Sequence, residues 1–204
     1  MNEREIRTFA FDNLKVERRA SEAGPLIRGH AAVFNQLSED FGGWREQIAP
    51  GAFKGVLGDD VRALLNHNVD WLLGRTVSKT LRIAEDETGL AVEIEPPDTQ
   101  LARDLVIAPL ERGDLSQMSF AFSGASSAWE EGEAGQYVRT ILTMERLWDV
   151  SLVTYPAYPQ TDAGAREFRM QHARRAIVPV GALRARRQRA HESLTRPSDR
   201  RKRG

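Results

Sequence analysis

The sequence predicts a mainly β fold with a few helices (α+β) over residues 1–165, followed by a basic, flexible extension over residues 166–204. Three observations carry this. Short β-capable runs recur through the first part, the clearest in Thr80–Pro96, where Leu90, Val92 and Ile94 alternate with Ala91, Glu93 and Glu95. Only one stretch, Thr99–Arg112, has helical spacing and helix punctuation. The formal net charge is zero, yet residues 166–204 hold 13 Lys+Arg against 3 Asp+Glu, leaving 16 basic against 26 acidic residues in 1–165. An acidic body with an arginine-rich tail is thus divided by charge as well as by pattern.

The elements follow in order. Gly24–Phe34 (GPLIRGHAAVF) and Val61–Asn68 (VRALLNHN) read as short strands, and Thr80–Pro96 as a hairpin. EQIAPGAF, followed by KGVLGDD, reads as a turn or short helix around Pro50 and Gly51. In Thr99–Arg112, Thr99 can cap, Leu101, Leu105 and Ala108 share a face, and Gly113 stops the helix; Pro109 is expected to kink or shorten it. SFAFSGASSAW, YVRTILTMERL and WDVSLVTYP continue the strand pattern, and Pro156 and Pro159 end it. The tail has little apolar periodicity and reads as a mobile or weakly helical extension.

Composition removes several chemistries. The chain has no cysteine, which excludes a disulfide framework, thiolate zinc or iron–sulfur ligation and a cysteine nucleophile. No run approaches 18 apolar residues, so no membrane span is expected, and MNEREIRTFAFDN lacks the apolar segment of a secretory signal. His30, His67, His172 and His191 show no HxH or HExxH spacing, so no metal is expected. Dinucleotide and P-loop glycine motifs are missing, as is GxSxG, and no cofactor is expected.

Two body segments keep chemical interest. In LLNHN, His67 ends a β-type run. In DLSQMSFAFSG, Phe120 and Phe122 point to one face of a strand, while Ser119, Ala121 and Ser123 point to the other. A serine hydroxyl attacks only if a base takes its proton, and the imidazolium so formed needs an acceptor that fixes its tautomer. Asp149, in LWDVSLV, is a carboxylate inside a run that otherwise reads as buried strand, a costly place for an unpaired charge. On pattern alone, Ser116, Ser123, Ser126, Ser127 and Ser151 are alternatives to Ser119, and Glu93, Glu145 and Asp70 are alternatives to Asp149.

Five pieces in order resemble the tailed-phage prohead proteases, the capsid-maturation serine peptidases related to the herpesvirus assemblins. They are GHAAVFN (29–35), EQIAPGAF (46–53), the stretch from LLNHN to PPDT (64–99), RGDLSQMSFAF (112–122) and LWDVSLVTYPAYPQT (147–161). The resemblance places the base on His67, the nucleophile on Ser119 in the Met-Ser-Phe step, and the third member on Asp149. Ala121 stands where the family often has Gly, and Asp149 where it commonly has Glu; neither change removes a chemical group.

The resemblance implies a small antiparallel β-barrel of the assemblin type, with residues 1–165 as the protease domain. It implies a serine endopeptidase acting in the bacterial cytoplasm, inside the procapsid. The substrates it implies are scaffolding protein, or a scaffold-like N-terminal segment of the major capsid protein, and the enzyme itself. Residues 166–204 are expected to be trimmed during maturation. A homodimer stays open, and nucleic acid is expected to bind only non-specifically, through the tail. The rival readings are a catalytically silent capsid-assembly scaffold and a nucleic-acid-binding module built on the tail, the latter disfavoured by the acidic body.

Overall fold

The structure is a computed structural model that describes residues 4–10, 14–18, 24–131 and 136–155. The basic extension, with His172 and His191, lies outside the described residues. Twelve strands occur among those described: β1 (Glu5–Ala10), β2 (Lys15–Arg18), β3 (Pro25–Val33), β4 (Trp44–Ile48), β5 (Arg62–Leu65), β6 (Asn68–Arg75), β7 (Leu81–Glu85), β8 (Gly89–Ile94), β9 (Gln117–Ser123), β10 (Ser126–Glu131), β11 (Tyr137–Thr143) and β12 (Arg146–Val153). A single helical passage runs through α1 (Gln100–Ala102), a π turn (Arg103–Ile107) and α2 (Ala108–Arg112). The expectation of a mainly β fold with little helix therefore holds.

The strands form three sheets, in the orders β1-β9-β12-β5-β6, β10-β11-β4 and β2-β3-β8-β7. Among the described residues these sheets are not closed, so the antiparallel barrel that the resemblance implies is not seen there. Two pairings, β12 with β5 and β11 with β4, are parallel, and the five-stranded sheet ends on β1 and β6 without their joining. Hydrophobic alternation identifies strands but carries no information about which edges meet.

The core sits where the apolar faces of the sheets and the turn region after β4 converge. Phe53 packs edge-on to Phe120 at 5.4 Å between ring centroids, and Phe120 stacks on Phe122 at 5.3 Å. Ile27, Leu90, Ile94, Ile141, Leu147, Val150 and Leu152 complete a continuous buried cluster. Burying each such side chain contributes roughly 1.5–3 kcal/mol. In β8, Leu90, Val92 and Ile94 point inward as the alternation predicts. The segment after EQI forms successive turns and no helix: Gly51, at φ 94°, occupies a backbone region that a side chain disfavours.

The helical passage differs from expectation in its buried face. Thr99 does cap it, its hydroxyl accepting from Ala102 N at 3.1 Å, and Gly113 ends it in the left-handed conformation. Leu101, Leu105 and Ala108, however, face solvent, while Ala102, Val106 and Ile107 are buried. The π turn inserts an extra residue per turn just ahead of Pro109, which has no N–H to continue an α pattern.

Candidate active site

Three strands and one turn bring the candidate residues together. Ser119 lies at the middle of β9, flanked by β1 on one side and β12 on the other, with Thr8 and Ser151 as its cross-strand partners. Met118, Phe120 and Phe122 send their side chains to the core, which turns Ser119 to the opposite face.

Asp149 reaches that same face through an irregularity. Along β12, Leu147 and Val150 both belong to the core although they stand three positions apart, a spacing that regular alternation forbids. The register slips between Leu147 and Asp149, leaving Trp148 as the extra residue. This β-bulge reverses the parity of the strand, so that Asp149 and Ser151 share one face and Val150 and Leu152 the other.

His67 arrives on the loop between β5 and β6. Asn66 and His67 both have positive φ, 54° and 55°, as a two-residue hairpin turn that follows the strand twist requires. The strain of two non-glycine residues is met by local bonds. Asn66 Oδ1 accepts from Thr154 N at 2.9 Å and Thr154 Oγ1 at 3.0 Å, and Asn66 N donates to Leu152 O at 2.8 Å. These tie the histidine-bearing turn to the end of β12, which runs parallel to β5.

The three side chains form a continuous chain. His67 Nε2 is 2.6 Å from Ser119 Oγ, and His67 Nδ1 is 2.6 Å from Asp149 Oδ1. Ser151 Oγ donates to the same Oδ1 at 2.7 Å and lies 3.2 Å from His67 Nδ1, while Arg4 Nη2 pairs with Asp149 Oδ2. Burial pushes the Asp149 carboxyl up, but the bonds and charge from His67, Ser151 and Arg4 outweigh it and hold the group below the ordinary aspartate value. A depressed carboxyl bonded to Nδ1 favours the tautomer that carries its proton on that nitrogen. Ser119 Oγ also lies 2.8 Å from the carbonyl oxygen of Arg7 on β1.

The alternatives lie elsewhere. Ser116 is exposed, Ser123 accepts from Trp148 Nε1, and Ser127 accepts from Arg139 Nε. Ser126, Asp70 and Glu145 are exposed, Glu93 pairs with Arg28 and Arg82, and His30 pairs with Asp86. Ser151 is the one alternative that joins the constellation, as a partner of Asp149. Its i, i+2 spacing from Asp149 on a strand was the sequence signal for it. No group of three or more potential metal ligands occurs among the described residues, and no helix there is long and apolar enough to cross a membrane.

A hydroxyl, an imidazole and a carboxylate linked in this order are the arrangement of the serine–histidine–acid hydrolases. Residues 12–176 match the family model for the caudovirus prohead serine proteases, and the chain belongs to that family. It is 30% identical over 163 residues to the prohead protease of Enterobacteria phage HK97, an overlap covering 78% of this chain and 68% of that protein. No solved structure matches it.

Proposed function

We propose that this chain is a serine endopeptidase of capsid maturation in which Ser119 is the nucleophile, His67 the general base and Asp149 the orienting acid. The observation that carries the reading is the pair of 2.6 Å contacts running from Ser119 through His67 to Asp149. As Ser119 Oγ attacks a scissile carbonyl carbon, its proton passes to His67 Nε2 and then to the departing amine. Water next attacks the acyl ester, with His67 again the base, and frees the serine. Asp149 stabilises the imidazolium in both halves.

The substrates on this reading are scaffolding protein, or a scaffold-like N-terminal segment of the major capsid protein, together with the chain's own residues 166–204. The enzyme works inside the procapsid in the host cytoplasm, with residues 1–165 as the protease domain. Family membership supports a peptidase of the prohead.

The test is co-expression with the cognate capsid and scaffolding proteins, wild type beside Ser119→Ala, followed by intact mass spectrometry. Loss of a discrete segment from a capsid or scaffolding protein, and from this chain, only with wild type is the expected result. Identical masses in both, with shells still assembling, would favour the silent scaffold and sink the protease reading.

A further inference from the structure

The hydroxyl of Ser119 has one proton and two acceptors within reach, His67 Nε2 at 2.6 Å and Arg7 O at 2.8 Å. With the proton directed at Arg7 O, Nε2 can approach Oγ only as a donor, and a ring that donates there is no base. Ser119 is also completely buried. The peptide carbonyl of Arg7 therefore stands against the nucleophile where a reacting acyl group has to arrive. It is held in a non-reacting pose, with its oxygen and not its carbon toward Oγ.

The strand that presents this carbonyl is built unlike its neighbours. Among the described strands β1 lies at a sheet edge, with β9 as its neighbour in the ladder. Glu5 and Arg7, two residues apart and thus on one face, point inward and are almost fully buried. They complete a four-membered ion cluster. Arg7 bonds Glu46 through Nε and through Nη2 at 3.0 Å, while Glu5 Oε2 accepts from Arg139 Nη1 at 3.0 Å and from Arg7 Nη2 at 2.7 Å. Glu46, on β4, and Arg139, on β11, are already bonded to each other at 2.8 Å. Were β1 to leave, they would remain as a neutral pair, ready to receive one acid and one base two residues apart. A strand offering only one of the two would bury an unmatched charge.

We propose that the β9 edge carrying Ser119 is the substrate-binding edge, and that β1 occupies it as a built-in surrogate. An extended peptide of the pattern Glu–apolar–Arg takes its place and presents its arginine carbonyl to Ser119. The proposal rests on Ser119 being the nucleophile. The pattern occurs twice in this sequence, as Glu5-Ile6-Arg7 and as Glu167-Phe168-Arg169. A peptide with the sequence of residues 165–172 is therefore the natural probe. In the reaction, Ser119 Oγ bonds to the arginine carbonyl carbon, and the Arg–Met peptide bond breaks. The serine proton leaves on the methionine amine by way of His67, and water then hydrolyses the ester.

The chain has no cysteine, so Ile6→Cys with Ala121→Cys, Cα partners across β1 and β9, provides a redox-controlled lock. The reduced double variant is expected to cut the 165–172 peptide after Arg169, and the oxidised form about 100-fold more slowly, with reductant restoring the rate. Binding is read separately, by fluorescence anisotropy of the labelled peptide on the same pair of cysteines with Ser119→Ala. The reduced form should bind, the oxidised form about tenfold more weakly, and an Arg169→Ala peptide about tenfold more weakly to the reduced form. Equal cleavage or equal binding in the two redox states overturns the proposal, as does absence of binding to the reduced form. Cleavage at another bond, or indifference to Arg169→Ala, overturns the register. Redox-dependent binding without cleavage by the Ser119 enzyme refutes the serine-protease reading and leaves the binding edge standing.

Discussion

Ser119 and Ser151 face each other as cross-strand partners on β9 and β12, and their hydroxyls meet the two ends of the same imidazole. One touches the nitrogen that would take a proton, and the other the nitrogen that Asp149 fixes. Replacing Ser151 by alanine removes a donor from Asp149 Oδ1, and its carboxyl should rise from its depressed value. Activity that depends on the Asp149 anion should then fail at a higher pH as the medium is acidified. We expect kcat to fall about tenfold with KM little changed, the acid limb of the pH–kcat profile to move upward, and Ser151→Thr to recover most of both. An unmoved acid limb would show that Ser151 serves packing alone.

The relay itself predicts a graded response. Ser119→Ala and His67→Ala should each lower kcat about 10⁶-fold, and Asp149→Ala about 10⁴-fold, leaving partial activity. Peptide cleavage by purified variants checks this. Wild-type rates in His67→Ala would remove it from the proposed role.

The turn that delivers His67 offers a third test. Asn66→Ala keeps a β-carbon in the left-handed region, loses the polar side chain that makes asparagine tolerant of it, and removes the acceptor for Thr154, so it should lower stability by roughly 1–3 kcal/mol. Asn66→Gly relieves the backbone but still lacks the acceptor. If the Thr154 bonds set the histidine position, urea denaturation should show glycine more stable than alanine, while both lose kcat.

The ion cluster under β1 predicts an acid-sensitive fold. Burial raises the Glu5 carboxyl, but Arg7 and Arg139 overcome this and hold it below the usual glutamate range. Asp149 is depressed as well. For a depressed acid, the stabilisation is fully present above its unfolded value and is lost as pH falls through its folded value. Thermal stability should therefore be full above the ordinary carboxylate range, begin to fall as the pH enters that range, and go on falling below it. Arg139→Met leaves Glu5 and Glu46 to share Arg7 alone and should destabilise the chain by about 3–5 kcal/mol, a difference that a denaturation series at fixed pH would read.

Much of the frame was legible because burial and alternation coincide. In β8 and β9 the inward residues are the apolar ones, which also turns Ser119 away from the core. Family resemblance, more than pattern, singled out His67, Ser119 and Asp149 from their alternatives, and these three are the side chains that meet. β1 was illegible for a physical reason. Its inward residues Glu5 and Arg7 invert the hydrophobic rule, and only partners 39 and 134 residues away make that tolerable. The bulge at Trp148 and the π turn before Pro109 each shift a face by one residue, which an unbroken period does not anticipate. Parallel pairing of β5 with β12 left no local trace.

The proposed relay is assembled wholly from distant chain segments. His67 lies 52 residues from Ser119 and 82 from Asp149, and Ser119 meets a carbonyl 112 residues before it. Closing such loops is the slow part of building a sheet-rich domain. On the proposed reading, a ribosome must therefore have passed codon 149 before hydrolysis is chemically available. Timing of this kind comes from the order of the chain and acts separately from any strand that occupies the site.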